Sequence, residues 1–238
     1  LSVIVPAYQE EERIAATLQT INAYLSKQNY GYEIIVVNDG SKDRTAETVR
    51  KLIPRIANLR LIDNKINHGK GYVVRQGMLA GRGQYRLFTD SDNSTPIEEI
   101  EKLLPFFEQG YDIVIGSRQA EGAKLDPPQP LFRRFVGRGW WFLTSIFAGT
   151  WMIADTQCGF KIMTSGAAQI IFPLCTIDRF AFDAEILAVA RIKKFKIKEV
   201  GVLWRNDPRS TVKFKSMVKM FFDLLKISFN IVSAKYDK

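Results

Sequence analysis

The chain has 238 residues, one histidine (His68) and two cysteines (Cys158, Cys175), which excludes a multi-histidine zinc centre and a disulfide framework. Its net charge is +9, but residues 1–190 carry 21 Lys and Arg against 21 Asp and Glu, while residues 191–238 carry 13 against 4. A basic block on an otherwise neutral chain points to an anionic partner, either a membrane surface or a nucleic acid, and the free cysteines point to a reducing compartment.

Ser2–Val5 reads as a strand already inside a fold at residue 1, so the expectation is that residues have been trimmed ahead of it; no signal peptide is visible. Pro6-Ala7-Tyr8-Gln9-Glu10 follows. A proline and an aromatic there can wall a flat base, or the segment can simply begin a helix with Glu10 near its positive end. Ile14, Leu18, Ile21 and Leu25 follow helical spacing. Glu33–Val37 is the second strand, and Asn38-Asp39-Gly40-Ser41 follows it. Asp39 could accept the N3–H of uracil, or Asp39 and Ser41 could cap the next helix.

Ala46, Val49, Ile53 and Ile56 outline the second helix and Leu59–Ile62 the third strand. In Asn67-His68-Gly69-Lys70-Gly71 the glycines permit close backbone approach, and Lys70 could meet a phosphate. The P-loop spacing is missing, and no Gly-x-Gly-x-x-Gly follows the first strand, which argues against a dinucleotide dehydrogenase. Tyr85–Thr89 is the fourth strand. After Asp90-Ser91-Asp92-Asn93, Thr95 is placed to cap a helix with Pro96 at its first position and Glu98 closing a capping box. Tyr111–Ile115 is the fifth strand. This alternation predicts an α/β fold, a mainly parallel sheet flanked by helices, with ligands at the carboxyl ends of its strands.

Two carboxylates flanking one residue at such a strand end can share a divalent cation. Mg²⁺ or Mn²⁺ would take its remaining ligands from water and phosphate oxygens, holding a donor diphosphate and neutralising the departing nucleoside diphosphate. The spacing alone describes a polar turn equally well; its place after a fourth parallel strand favours the metal.

The second half is less regular. Ala120–Pro130 is a proline-rich loop, Leu131–Thr150 an aromatic-rich helix, Phe182–Lys193 a helix, Lys196–Leu203 a strand and Lys213–Val232 a long amphipathic helix. In that last helix Phe214, Met217, Val218, Phe221, Phe222, Leu225 and Phe229 fall near one face, with lysines between them. Asp223 and Lys226 interrupt the run and no stretch of about 18 apolar residues occurs, so the helix is expected to lie on a membrane rather than cross it. Trp140, Trp141, Phe142 and Phe147 offer a second interfacial contact; core or dimer packing is the alternative for both. The neutral first 190 residues argue against nucleic acid as the partner.

Pro6–Glu10, Asn38–Ser41, Gly69-Lys70-Gly71, Asp90-Ser91-Asp92 and Gly116-Ser117-Arg118 stand in the order and spacing of family 2 glycosyltransferases with the GT-A fold, and the chain resembles that family over residues 1 to about 205. Asp155-Thr156-Gln157-Cys158-Gly159-Phe160-Lys161 and Arg179–Glu185 are most similar to the dolichyl-phosphate glucose synthases of the polyprenyl-phosphate group, with the mannose synthases as near relatives. The resemblance implies a GT-A domain over 1–205, split into a nucleotide-sugar half (1–116) and an acceptor half (117–205). A basic membrane-associating segment would follow at 206–238.

The resemblance also implies site roles. Pro6, Tyr8, Glu10 and Asp39 would line the nucleotide pocket, Lys70 and Asp90 would serve the donor phosphates, and Asp90 and Asp92 would hold the metal. The position at which the family often adds a further metal ligand is Ser94. Arg118 and Arg133 match arginines that hold the lipid phosphate, and Gly137 stands where the mannose synthases offer a serine, leaving Arg134 or Arg138 to compensate. Asp155 would sit near the sugar as a base, a sugar-hydroxyl ligand or a partner orienting an arginine. Of Asp183 and Glu185, one would point into the site and the other would cap or pair with a basic residue.

The implied reaction is inverting transfer of a hexose from UDP-glucose, or alternatively GDP-mannose, to a polyprenyl phosphate. It would occur peripherally on the cytoplasmic face of a membrane. A soluble saccharide acceptor is a further alternative, and a non-catalytic membrane- or nucleic-acid-binding module is the alternative outside enzymes.

Overall fold

A computed structural model describes residues 1–128, 131–205 and 214–237, without the side chains of 131–136 and 214–216. In chain order, β1 (Ser2–Ala7), α1 (Ile14–Leu25), β2 (Glu33–Asp39), α2 (Thr45–Leu52), β3 (Leu59–Asn64), α3 (Lys70–Ala80), β4 (Tyr85–Thr89), α4 (Ile100–Leu103), α5 (Pro105–Glu108) and β5 (Ile113–Ser117) build the first half. The second half holds β6 (Lys124–Asp126), α6 (Leu131–Ala148), β7 (Phe160–Thr164), α7 (Ser165–Leu174), α8 (Phe182–Ile192), β8 (Ile197–Gly201), β9 (Leu203–Arg205) and α9 (Phe214–Val232).

Seven strands form one sheet in the order β3-β2-β1-β4-β7-β5-β8, and β6 pairs with β9 in a separate ribbon. All pairings in the main sheet are parallel except those of β7, which runs antiparallel between β4 and β5. The central strands read as continuous apolar runs because both faces are covered. Val3, Val5, Ile34, Val36, Leu87, Val114 and Ile162 pack under α1 and α4 on one face. Their alternates Ile4, Ile35, Val37, Phe88, Ile113, Ile115 and Met163 pack under α3, α7, α8 and α9 on the other. Gly77 lets α3 lie close to the sheet, since a Cβ there would come within 2.5 Å of the Ile4 side chain.

The expected strands are present, and three local readings change. Pro96 lies ahead of the first turn with extended backbone (ψ 143°), so the helix does not start on a Thr95 cap; a 3₁₀ turn at Ile97–Glu99 leads in without a side-chain capping bond. The second helix stops at Leu52, one residue ahead of Ile53-Pro54, and Ile56 is buried from the turn beyond it. The expected 196–203 strand is two short strands, β8 and β9, serving different sheets.

Helix α9 is not an appendage. Met220, Leu224 and Ile227 are buried in the core of the main domain, and Phe147 of α6 meets Phe221 edge to face at 5.9 Å. Just beyond it, Tyr236 is fully buried and its hydroxyl donates to Glu185 Oε1 of α8 (2.7 Å). The opposite face of α9 leaves Val218, Phe222, Leu225, Phe229 and Val232 exposed, a 4-3-4-3 spacing that forms one stripe. The helix is therefore apolar on two faces, and its residues divide between core and surface rather than sharing one face; the Phe214 side chain lies outside the described residues. Of the four aromatics expected at an interface, Phe142 is exposed, Trp140, Trp141 and Phe147 are half-buried, and Trp151 and Met152 join Phe142 at the surface.

Candidate active site

Sheet topology gathers the candidate residues at one edge. The carboxyl ends of the parallel strands β1, β2, β4 and β5 lead into Tyr8–Glu10, Asp39–Ser41, Asp90–Asp92 and Arg118. The antiparallel β7 brings its amino end, and with it Asp155–Gly159, to the same edge. Thr89 pairs with Phe160, so Asp90 falls opposite Gly159 one step further along. A Cβ at Gly159 would lie 2.2 Å from Asp90 Oδ2, so only glycine leaves room for the Asp90 carboxylate.

The acidic turn is tightly built. The Ser91 carbonyl accepts from Thr17 Oγ1 (2.7 Å), and Asn93 adopts a positive φ of 54°. Asp92 Oδ1 accepts the Ser94 N–H at 2.9 Å, and the Ser94 side chain also bonds the Asp92 carboxylate. Burial, and then the like charge of Asp90, push the Asp92 carboxyl above its ordinary range. Ser94 is buried and orients Asp92, and its carbonyl accepts from Arg205 N (2.7 Å).

Two lysines face this turn. Lys70, the first residue of α3, places Nζ 2.5 Å from Asp90 Oδ1. Burial opposes the charge of Lys70, but Asp90, Asp183 and Asp92 outweigh it and raise its pKa. Lys161 on β7 is fully buried, donates to Asp183 Oδ1 (2.5 Å) and Cys158 O (2.6 Å), and lies over the Phe88 ring. Burial drives the Asp183 carboxyl upward against the pull of Lys161 and Lys70. Among the described residues no group of three or more His, Cys, Asp or Glu could hold a metal. A site with two hard carboxylates, one of them already facing an ammonium, still fits Mg²⁺ or Mn²⁺ that draws its other oxygens from a diphosphate and water.

The base-side residues divide. Tyr8 is exposed beside the strand ends, while Pro6 is buried. Glu10 pairs with Arg13, and its N–H donates to Thr45 Oγ1 (2.8 Å). Asp39 is buried and accepts from His68 N (2.7 Å), Gly69 N (2.9 Å) and Asn67 Nδ2 (2.8 Å). Its carboxylate thus pins the loop that launches Lys70. Gly69 takes φ 114° there, with Asp178 O only 2.4 Å from where a Cβ would stand.

On the acceptor side, Asp155 is buried and receives Arg118 Nε (2.7 Å), Arg118 Nη2 (2.8 Å), Arg118 N (2.9 Å) and Gln157 N (3.1 Å). Burial would raise its pKa, but Arg118 outweighs burial and holds the carboxyl below its ordinary range. Of the three roles open to Asp155, this geometry matches the orienting one: a carboxylate accepting from four donors, two of them on a guanidinium, is a poor base. Among the described residues Arg118 Nη1 has no hydrogen-bond partner, and the guanidinium lies 5.4 Å from the Trp204 ring centre. The Arg133 and Arg134 side chains lie outside the described residues, and Arg138 is exposed on α6.

Asp183 is the member of its pair that faces the acidic turn. Glu185 instead accepts the Thr176 and Ile177 N–H groups and the Tyr236 hydroxyl, so it caps backbone rather than pairing with a basic residue. Both cysteines are free and buried; burial pushes the Cys158 thiol up to about 12, which removes it as a nucleophile near neutral pH. Glu199, whose carboxylate accepts the Ala154 and Asp155 N–H groups, escaped the sequence reading, as did the packing roles of Gly159 and Lys161. The signal for Lys161 is a charge inside a short apolar run, Phe160–Met163, flanked by Gly159 and Thr164-Ser165-Gly166.

Comparison with known proteins agrees with this arrangement. The sequence pattern described as Glycosyl transferase family 2 matches residues 2–167. A dolichyl-phosphate beta-glucosyltransferase of Trichomonas vaginalis is 38% identical, over 96% of this chain and 72% of its own length. The Homo sapiens dolichyl-phosphate beta-glucosyltransferase is 35% identical, over 95% and 74%. Among solved structures, glucosyl-3-phosphoglycerate synthase from Mycobacterium tuberculosis, in complex with Mn²⁺, UDP and glucosyl-3-phosphoglycerate, superposes with a TM-score of 0.67 at 16% identity, covering 95% of this chain and 77% of its own; that likeness is one of fold.

Proposed function

Because the chain belongs to glycosyl transferase family 2 and is a glycosyltransferase of the GT-A fold, we propose that it transfers glucose from UDP-glucose to dolichyl phosphate with inversion, giving a β-linked product. The observation that carries this reading is the juxtaposition, at one sheet edge, of an acidic turn paired with a lysine and an arginine locked by a buried aspartate. The first half of that site suits a diphosphate and the second a phosphate monoester. The relatives' names favour glucose over mannose.

Asp90 and Asp92 would hold Mg²⁺ or Mn²⁺, which when bound supplies positive charge to the donor diphosphate. Gly159 and Ser94 fix those two carboxylates, and Tyr8 offers a face to the nucleotide base. Arg118, oriented by Asp155, presents its free edge to the acceptor phosphate, with Arg133 proposed as its companion. A phosphate monoester has a second pKa of about 6, so near neutral pH it is largely a dianion and attacks without a strong base. The protein's task is to hold two anions in line and screen their repulsion, which arginine and lysine do while Asp155 keeps the guanidinium in register.

The reading carries a peripheral location on the cytoplasmic face of a membrane. It is supported by two free cysteines, by the exposed apolar stripe of α9 beside Lys219 and Lys226, and by the lipid named in the relatives. No helix among the described residues is long and apolar enough to cross a membrane. The test is transfer of labelled glucose from UDP-glucose to a short dolichyl phosphate with Mn²⁺. Wild type should turn over, and Asp92→Ala should lose roughly 100-fold or more while keeping its fold. Absence of transfer by wild type overturns the reading, and preference for GDP-mannose overturns the choice of sugar.

A further inference from the structure

Lys70 stands in an unfavourable place for a lysine. It opens an eleven-residue helix, where the helix dipole is positive, and the first turn of α3 contains no acidic residue. Helix stability therefore does not account for it. Its compensation comes from Asp90, across the cleft at 2.5 Å.

The charges at the turn explain why a lysine is useful there. Asp90 acts on both Asp92 and Asp183, all three carboxylates act on Lys70, and Lys161 pairs with Asp183. Lys161 cannot leave: it is fully buried, with Nζ bonded to Asp183 and to Cys158 O. Lys70 can, because its side chain and that of Asp90 are about a third exposed (30% and 32%) and Asp90 is its one ion-pair partner among the described residues. With Lys70 withdrawn, three carboxylates and Lys161 leave a deficit of two positive charges, the charge of one divalent cation.

We infer that Lys70 is the resident counter-ion of Asp90 in the donor-free protein, and that it passes to the donor diphosphate when a divalent cation takes its place. This rests on the metal-dependent reading above and adds to it an order of events. The carboxylates are never left bare, a divalent cation alone binds against the competition of an ammonium, and cation plus diphosphate bind together because the diphosphate receives the released lysine. The Asp39 carboxylate sets this up by fixing His68 N and Gly69 N, so that the backbone at Lys70 stays put while its side chain swings.

The test is titration of MnCl₂ into nucleotide-free protein, followed by UDP titration at saturating Mn²⁺, with wild type, Lys70→Gln and Lys70→Arg. Folding is checked by melting, and Lys70→Met serves if the glutamine variant is unstable. Neutral substitution should tighten Mn²⁺ binding by about two- to fivefold, the order expected for losing a partly exposed competing ion pair. It should weaken UDP binding by a similar factor, and Lys70→Arg should stay near wild type in both. Unchanged, weaker or absent Mn²⁺ binding by the neutral variant overturns the inference; tighter Mn²⁺ binding with unchanged UDP affinity overturns the passage to the diphosphate. Neither titration involves sugar transfer, so failure of the glucosyltransferase reading would appear in the transfer assay and not here.

Discussion

At the residue scale, the site depends on a glycine as much as on its charges. Gly159 is the residue against which the Asp90 carboxylate rests, and any side chain there displaces it. Gly159→Ala should reduce glucosyl transfer by about 100-fold, the cost typical of moving a catalytic group by about an ångström. Its melting temperature should stay near that of wild type, because the clash falls on a partly exposed carboxylate rather than on backbone. Wild-type turnover by this variant would mean that Asp90 has room to spare. The acidic turn and Asp39 were legible in the sequence from their place at strand ends, where open sheets place their ligands, Lys70 from the glycines around it, and Arg118 from the family resemblance. The partners that hold them were legible only in part: orienting an arginine was one of three roles open to Asp155, and which arginine it holds was not given. The Asp155–Arg118 pair joins residues 37 positions apart, and Glu199 reaches its backbone partners from another strand. Such pairings depend on tertiary placement, which no local pattern encodes.

At the scale of elements, the parallel half of the sheet was readable from apolar runs separated by helical periods, while β7 was missed. Its five residues include a buried lysine, and it follows a stretch of irregular chain, so neither period nor length marks it. Helix α9 shows the converse limit. Its apolar residues signalled an amphipathic helix correctly, but the split of those residues between core and surface depends on α6 and α8 lying beneath it. The end of that element is held by buried polar contacts: the Tyr236 hydroxyl donates to Glu185, and Asn230 Nδ2 donates to the tyrosine oxygen at 3.1 Å. Tyr236→Phe removes a hydrogen bond to a buried carboxylate and should cost about 1.5–3 kcal/mol. In a chain of this size that lowers the melting temperature by roughly 3–12 °C. A melting curve superimposable on wild type would show that α9 is held by its apolar contacts alone.

At the scale of the whole molecule, the basic excess, the α9 stripe and the exposed Phe142, Trp151 and Met152 give the second half a surface unlike the rest. Phe222 (63% exposed) and Phe229 (70%) project furthest among the aromatics of α9 whose side chains are described, and contribute little to the core. The double variant Phe222→Ser, Phe229→Ser should lower partitioning onto vesicles with anionic lipid by about tenfold or more, from lost apolar burial of up to about 3 kcal/mol per ring. Its melting temperature should match that of wild type. Undiminished vesicle binding would remove α9 from the membrane contact.

The antiparallel β7 has a consequence for how such a chain leaves the ribosome. β5 has only β7 and β8 as neighbours, and both are synthesised after it, beyond an excursion of more than forty residues. Until β7 arrives, β4 presents an open edge and β5 has nothing to pair with, so the nascent donor half carries sticky, unfinished strands. The strand that closes the sheet is also the one that delivers Gly159 and Lys161. The joining of the two parts of the sheet and the arrival of the glycine against which Asp90 rests therefore coincide, with Asp183, β8 and α9 still to follow.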